Sequence, residues 1–311
     1  MPEKVKHDIV NRWEGNPIID LESLSFSCTN MYNAGAVKIG NEYILLVTIE
    51  SLEGKSFICL ARSDDGLHFT VDEKIFMNSQ ENNEFEVYEK RGIIDARITR
   101  LDNKYYITYL GVGRHGIVLC LASTVDFRKV ERLGIISEPE TKAGALFPAK
   151  FKGRYARLER PRQSGSIWIS YSKDLFTWGE MEVVLGPRRG FWDTDRVGCA
   201  VPPILIDEGW LLIYYSVKNT SAGPITRIGA AVLDKKNPSK MVSRSNIPIL
   251  SPREDYERIG DINNLVFSTG AVLEDDGELK IYYGVADNCI CLGTTKLNDV
   301  INCCNESMKD Y

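Results

Sequence analysis

The chain has 311 residues, is 43% hydrophobic and 26% charged, and carries a formal net charge of −5. This is the composition of a globular protein large enough to bury a substantial core. It excludes a broadly basic binder of nucleic acid or of an anionic membrane surface, so any anion site must be a local cluster of cations. Residues 1–7 lack the apolar stretch of a signal peptide, and no run approaches the eighteen apolar residues of a membrane-spanning helix. The eight cysteines (Cys28, Cys59, Cys120, Cys199, Cys289, Cys291, Cys303 and Cys304) are scattered. In this setting they read as reduced thiols of a cytoplasmic protein. None has the C-x₂-C spacing and histidine partners of a zinc site, so no metal is expected.

Along the chain, helical periodicity is almost absent. Short aromatic and β-branched runs occupy residues 43–49, 105–110, 166–171, 210–217 and 279–285, and turn residues separate them. Several of the runs follow a turn of similar make, at 38–42, 101–104, 206–209 and 274–278. A polar hairpin often comes next, with Ser or Thr, then Asp, then an aromatic: Ser63, Asp65 and Phe69; Thr124, Asp126 and Phe127; Ser172, Asp174 and Phe176. The unit recurs about five times at a period of roughly 50–70 residues, within the range of propeller blades with insertions. The expected fold is therefore all-β, a five-bladed β-propeller, as a single domain over residues 1–311. A β-sandwich does not carry so long a repeat. The glycine-rich stretch 111–116 reads as a loop crossing between blades.

A propeller gathers residues from distant segments at one mouth of its central channel, which is the licence for collecting site candidates across blades. The three histidines, His7, His68 and His115, sit in no nucleophile motif, and there is no phosphate-binding glycine loop. Three features remain. Asp95 lies between Ile94 and Ala96, with Arg91, Arg97 and Arg100 close by. On spacing alone its leading reading is a structural ion pair with Arg97 or Arg91, the other being a working acid. Lys142, Arg160 and Arg196 each stand beside apolar or glycine residues, and singly each reads as a solvated or paired cation. Trp192, Tyr214, Tyr215, Tyr282 and Tyr283 are ordinarily core, but in a channel they can stack on sugars.

In order and spacing, the stretches 32–37 (Tyr-Asn-Ala-Gly-Ala-Val), 92–98 (Gly-Ile-Ile-Asp-Ala-Arg-Ile), 146–148, 153–156, 160–161, 196–198, 203–204, 209–214, 250–253, 256–257 and 282–287 resemble glycoside hydrolase family 130, the β-mannoside phosphorylases. The likeness runs from Asn16 to Asp287. It implies a five-bladed propeller and makes Asp95 the single catalytic acid, in the place of the family's Asp-Pro-Arg motif. It implies that Lys142, Arg160 and Arg196 hold phosphate, and that Asn33 and Asp287 contact the sugar of the innermost subsite. Tyr215 stands where a histidine is usual and can still donate a hydrogen bond to phosphate. Thr48 stands where the β-1,4 enzymes carry arginine, and Ile94 where an aromatic or acidic residue is common. These two substrate-binding positions direct the expectation to the β-1,2-mannobiose or oligomannan phosphorylases.

The chemistry implied is inverting phosphorolysis giving α-mannose 1-phosphate. An inverting hydrolase needs an acid and a base, because water is a poor nucleophile. Phosphate is already an anion, needs no base, and requires cations to hold it. No cofactor is expected beyond inorganic phosphate as co-substrate. The expected partners are a β-mannoside disaccharide or oligosaccharide and phosphate, with no nucleic acid and no membrane; a homo-oligomer is left open. The alternatives are a β-1,4-mannooligosaccharide or mannosyl-glucose phosphorylase, a β-mannosidase, and a non-catalytic glycan-binding propeller. Furanosidase propellers need three carboxylates, one in an N-terminal motif that has no counterpart here. Loops 79–90 and 218–226 are expected to cover the outer subsites.

Overall fold

In the computed structural model, residues 8–79 and 84–306 are described. Residues 1–7, on which the signal-peptide reading rested, and part of loop 79–90 lie outside them. Five antiparallel sheets follow one another along the chain. Blade one is Asn30–Ile39, Glu42–Glu50, Ser56–Ser63 and Thr70–Met77, and blade two is Ile93–Leu101, Lys104–Gly113, Gly116–Thr124 and Glu131–Ile135. Blade three is Thr141–Phe151, Arg154–Pro161, Ile167–Ser172 and Trp178–Leu185. In blade four the innermost strand is broken into Arg196–Cys199 and Ile204–Ile206, both paired with Gly209–Thr220. Pro202 and Pro203 occupy the break, where their missing N–H groups end the ladder. Blade five is Val266–Leu273, Glu278–Val285 and Cys289–Lys296, and its outer strand is the N-terminal Asn11–Arg12. The fold is the expected five-bladed β-propeller.

The turns explain the repeat. The innermost hairpins of blades two and three close on Asp102-Asn103 and Lys152-Gly153, each with both residues at positive φ, the geometry that matches strand twist. The polar hairpins form the third turn of blades one, two and three. Ser63 Oγ accepts from the Gly66 amide while Asp65 Oδ1 accepts from the amides of Leu67 and His68. Ser172 and Asp174 repeat this on Leu175, Phe176 and Thr177. These side chains replace backbone ladder bonds that a turn cannot make.

The core lies between the blades rather than within one. Ile44, Leu46 and Ile58 of blade one pack with Ile98, Ile107 and Tyr109 of blade two. Leu110 and Leu119 meet Leu146 across the next interface, and similar clusters fill the other three. Closure of the ring is secured at Arg12. Its guanidinium donates twice to Glu257 at 2.8 Å, and also to Asp8 and to the Ser251 carbonyl. Glu257 is fully buried and also accepts from the Tyr283 hydroxyl.

Stretch 111–116 is not a blade crossing. It is the hairpin tip inside blade two, with Arg114-His115 at the turn. A Cβ on Gly113 would lie 2.3 Å from the Val87 carbonyl oxygen, so the glycine lets the Glu86–Glu89 turn lie flat on the hairpin. Glu89 is fully buried there, paired with Arg132 and bonded by Tyr109. Stretch 218–226 is likewise the regular end of the Gly209–Thr220 and Gly223–Leu233 hairpin. Small residues on the innermost strands permit close approach at the channel: a Cβ on Gly35 would lie 2.5 Å from the Ala96 carbonyl oxygen. Gly35→Ala is therefore expected to lower stability by about 1–3 kcal/mol, read from the midpoint of urea unfolding at unchanged slope.

Candidate active site

One cleft of about 350 Å³ opens at a mouth of the channel and takes walls from all five blades. Its polar lining is Tyr32, Asn33, Asp95, Lys142, Arg160, Arg196, Tyr215, Thr226 and Asp287, and its apolar lining is Ile94, Val217, Ile262, Leu265 and Phe267. Eight of the nine residues singled out from the sequence thus line this one cleft. The ninth, Thr48, does not line it. It lies on the second strand of blade one, opposite Tyr32 and fully buried, and its hydroxyl has no partner.

The backbone explains how an acid comes to stand in an apolar run. The innermost strands of blades one, two and three each carry a register shift at the same level, between Tyr32 and Ala34, Ile94 and Arg97, and Lys142 and Ala145. Each shift contains a residue in the left-handed region: Asn33 (φ 53°), Asp95 (φ 61°) and Ala143 (φ 52°). A bulge turns a side chain out of the ladder and re-aims it, and Asn and Asp are the non-glycine residues that tolerate this conformation best. Asp287 shares the property at φ 59°. A run of left-handed polar residues around one cleft is the pattern in which backbone strain accompanies function.

Asp95 is not paired as its spacing suggested. Its Oδ1 accepts from Asn33 Nδ2 at 2.5 Å. Arg97 turns inward and bonds the Asp95 main-chain carbonyl instead, and Arg91 is exposed. The other cleft carboxylate, Asp287, is pushed up to about 6 by burial first and then by Asp95, Asp261 and Glu50. Its folded value exceeds its ordinary one, so the native state binds the extra proton between about pH 4 and 6. The contribution of Asp287 to stability then falls as pH rises through that window. Asp287→Asn is expected to stabilise the fold above pH 6 by up to roughly 3 kcal/mol, with the gain vanishing below pH 4. Thermal unfolding of both proteins across this range checks it.

The cations line the same cleft. Arg160 is 5% exposed and its Nε donates to the Tyr215 hydroxyl at 3.1 Å. Tyr215 in turn packs on Phe267, with ring centroids 4.7 Å apart. Lys142 is held below its ordinary value by burial, with Asp95 opposing and Arg160 and Arg162 reinforcing the shift. Arg196 is exposed at the rim. Among the described residues none of the three makes an ion pair with a carboxylate, whereas the neighbouring Arg162 is paired with Glu140. Holding Lys142 beside the buried Arg160 with no carboxylate partner among the described residues is costly, a cost that a bound anion would relieve. The other aromatics are structural. Tyr214 donates to Asp193, Tyr282 to the Gly66 carbonyl and Tyr283 to Glu257, while Trp192 stacks on Tyr214. Among the described residues, no three His, Cys, Asp or Glu side chains come together as a metal site.

A family model described as beta-1,4-mannooligosaccharide phosphorylase matches residues 2–306. The chain belongs to glycoside hydrolase family 130. It is 35% identical to a beta-1,2-mannobiose phosphorylase of Listeria innocua, over 91% of this chain and 76% of that protein. A 1,2-beta-oligomannan phosphorylase of Thermoanaerobacter sp. is also 35% identical, over 77% and 78%. A beta-1,4-mannooligosaccharide phosphorylase of Ruminococcus albus is 29% identical over 95% and 90%. The solved Listeria innocua enzyme, in complex with beta-1,2-mannobiose, superposes with a TM-score of 0.87 at 30% identity, covering 96% of this chain and 99% of that one. The family 130 chain described here is an enzyme, a glycoside phosphorylase.

Proposed function

We propose that this family 130 enzyme cleaves β-1,2-linked mannobiose or oligomannan by inverting phosphorolysis, releasing α-mannose 1-phosphate. The observation that carries the reaction type is the set of three cations, Lys142, Arg160 and Arg196, gathered in one cleft with no carboxylate partner among the described residues. A hydrolase has no use for such a clamp, and the acid needs no second carboxylate as base when phosphate attacks. In this reading Asp95 supplies the proton to the departing glycosidic oxygen, the route passing through a sugar hydroxyl as the family resemblance implies. Phosphate, held by the cations and the Tyr215 hydroxyl, attacks C1 from the opposite face. Asn33 orients Asp95 through its amide N–H. Asp287 binds the innermost sugar.

The β-1,2 linkage is supported by the two relatives at 35% identity, against 29% for the β-1,4 enzyme. Thr48 and Ile94 add to it, standing where the resemblance places other residues in the β-1,4 enzymes. The test is incubation with β-1,2- and β-1,4-mannobiose, with and without inorganic phosphate. Mannose 1-phosphate should appear from the β-1,2 sugar only when phosphate is present. Equal release of free mannose in both buffers would replace the proposal with hydrolysis.

A further inference from the structure

Arg97 is one of the most deeply buried large side chains, 1% exposed, and the chemistry above leaves it unused. All its hydrogen bonds go to main-chain carbonyls. Nη1 donates to Asp95 at 2.9 Å, Nε to Ala200 at 2.8 Å and Nη2 to Cys199 at 3.3 Å. Among the described residues it forms no ion pair. A buried cation satisfied only by carbonyls is an expensive way to fill space, since an apolar side chain of similar volume avoids the desolvation. Its three partners say what the cost supports.

The first partner is the acid itself. The register shift between Ile94 and Arg97 takes Asp95 out of the regular ladder, and Arg97 reaches back two residues to hold its carbonyl. The other two partners lie at the break in the innermost strand of blade four, where Pro202 and Pro203 leave the ladder short of donors. Cys199 is the last residue of Arg196–Cys199, the strand that carries Arg196 into the cleft. One planar, five-donor side chain therefore joins the acid-bearing bulge of blade two to the anion-facing strand of blade four, across the channel. Lysine cannot span three carbonyls in a fixed plane.

We infer that Arg97 is a positioning residue for phosphorolysis: by holding the Asp95 and Cys199 carbonyls together it sets the spacing between the Asp95 carboxyl and the phosphate held near Arg196. The inference rests on the phosphorolysis proposed above, so the unmutated enzyme is assayed first. Arg97→Lys and Arg97→Met are then compared per folded molecule. Arg97→Lys should fold yet lose at least tenfold in kcat, with KM for phosphate raised severalfold and KM for the mannoside within twofold. Arg97→Met should lose more, and guanidinium ion should restore part of the activity of Arg97→Ala where urea does not. In the unmutated enzyme, inorganic phosphate alone should slow amide hydrogen exchange in residues 93–97 and 196–200 together.

A side chain that only holds the ring together predicts otherwise. Folded Arg97→Lys at the unmutated kcat and phosphate KM would overturn the inference, as would phosphate protection confined to 196–200. The exchange measurement decides the matter even if every substitution prevents folding. Lack of phosphorolysis by the unmutated protein would overturn the functional proposal instead, with the exchange response still reporting on Arg97.

Discussion

Asp95→Asn should cut the rate of phosphorolysis and of the reverse synthesis by about 10²–10⁴-fold, the usual contribution of a positioned general acid. The substitution is a clean probe for a structural reason. Asparagine keeps an oxygen able to accept from Asn33, and it tolerates the left-handed backbone at φ 61°. The fold and the KM for the mannoside should stay close to those of the unmutated enzyme, and the loss should fall on kcat. Asp95→Ala tests less, because alanine at positive φ adds backbone strain to the loss of the acid. Initial rates in both directions, with thermal unfolding as the control for folding, measure the effect. Activity of Asp95→Asn within tenfold of the parent would remove Asp95 from the role of acid.

The second large effect is expected at the phosphate clamp, graded by burial. Arg160 is almost fully buried and bonded to Tyr215, whereas Arg196 is exposed. Truncating one partner of a buried charge-assisted contact costs on the order of 2–5 kcal/mol. Arg160→Met should therefore lower kcat/KM for phosphate by roughly 10²–10³-fold, and it also leaves the Tyr215 hydroxyl without its donor. Arg196→Met should cost less than about tenfold, since solvent screens an exposed charge. Both variants should show their loss as a raised KM for phosphate, and for mannose 1-phosphate in synthesis, with the mannoside KM little changed. Phosphate titrations at fixed mannoside, run at low and moderate salt, separate the two. An equal effect at both positions would argue against a clamp organised by burial.

The two predictions depend on different kinds of knowledge. The choice of Asp95 as proposed acid and of the three proposed phosphate cations came from residue types and from the family likeness. Their grading was not, because nothing near Arg160 or Arg196 in sequence says which lies under Tyr215 and which faces solvent. Asp95 shows the same limit from the other side. Its three neighbouring arginines made an ion pair the leading reading, yet the bulge sends the Asp95 carboxyl toward the cleft and the Arg97 guanidinium into the channel. A local window holds the charges but not the direction in which each leaves the backbone. Thr48 is a further case: the family likeness suggested a sugar contact, while the structure places it on the second strand of blade one, paired with Tyr32 and outside the cleft lining.

What the sequence determined by itself is the blade. Two-residue hairpins such as Asp102-Asn103, aromatic second strands, and the Ser-x-Asp turns at 63–65 and 172–174 are short-range devices, encoded within a few residues and repeated about five times. What only the tertiary structure decided is how the blades meet. Arg12 closes on Glu257 across 245 residues, and Arg97 holds Cys199 and Ala200 across about a hundred. Arg160 finds Tyr215 on the next blade. Those pairings exist only once the ring has closed and five apolar interfaces have fixed the angle between neighbouring sheets, because no local pattern specifies which distant carbonyl or hydroxyl a buried cation will reach. The hairpins make the propeller; the closed ring makes the site.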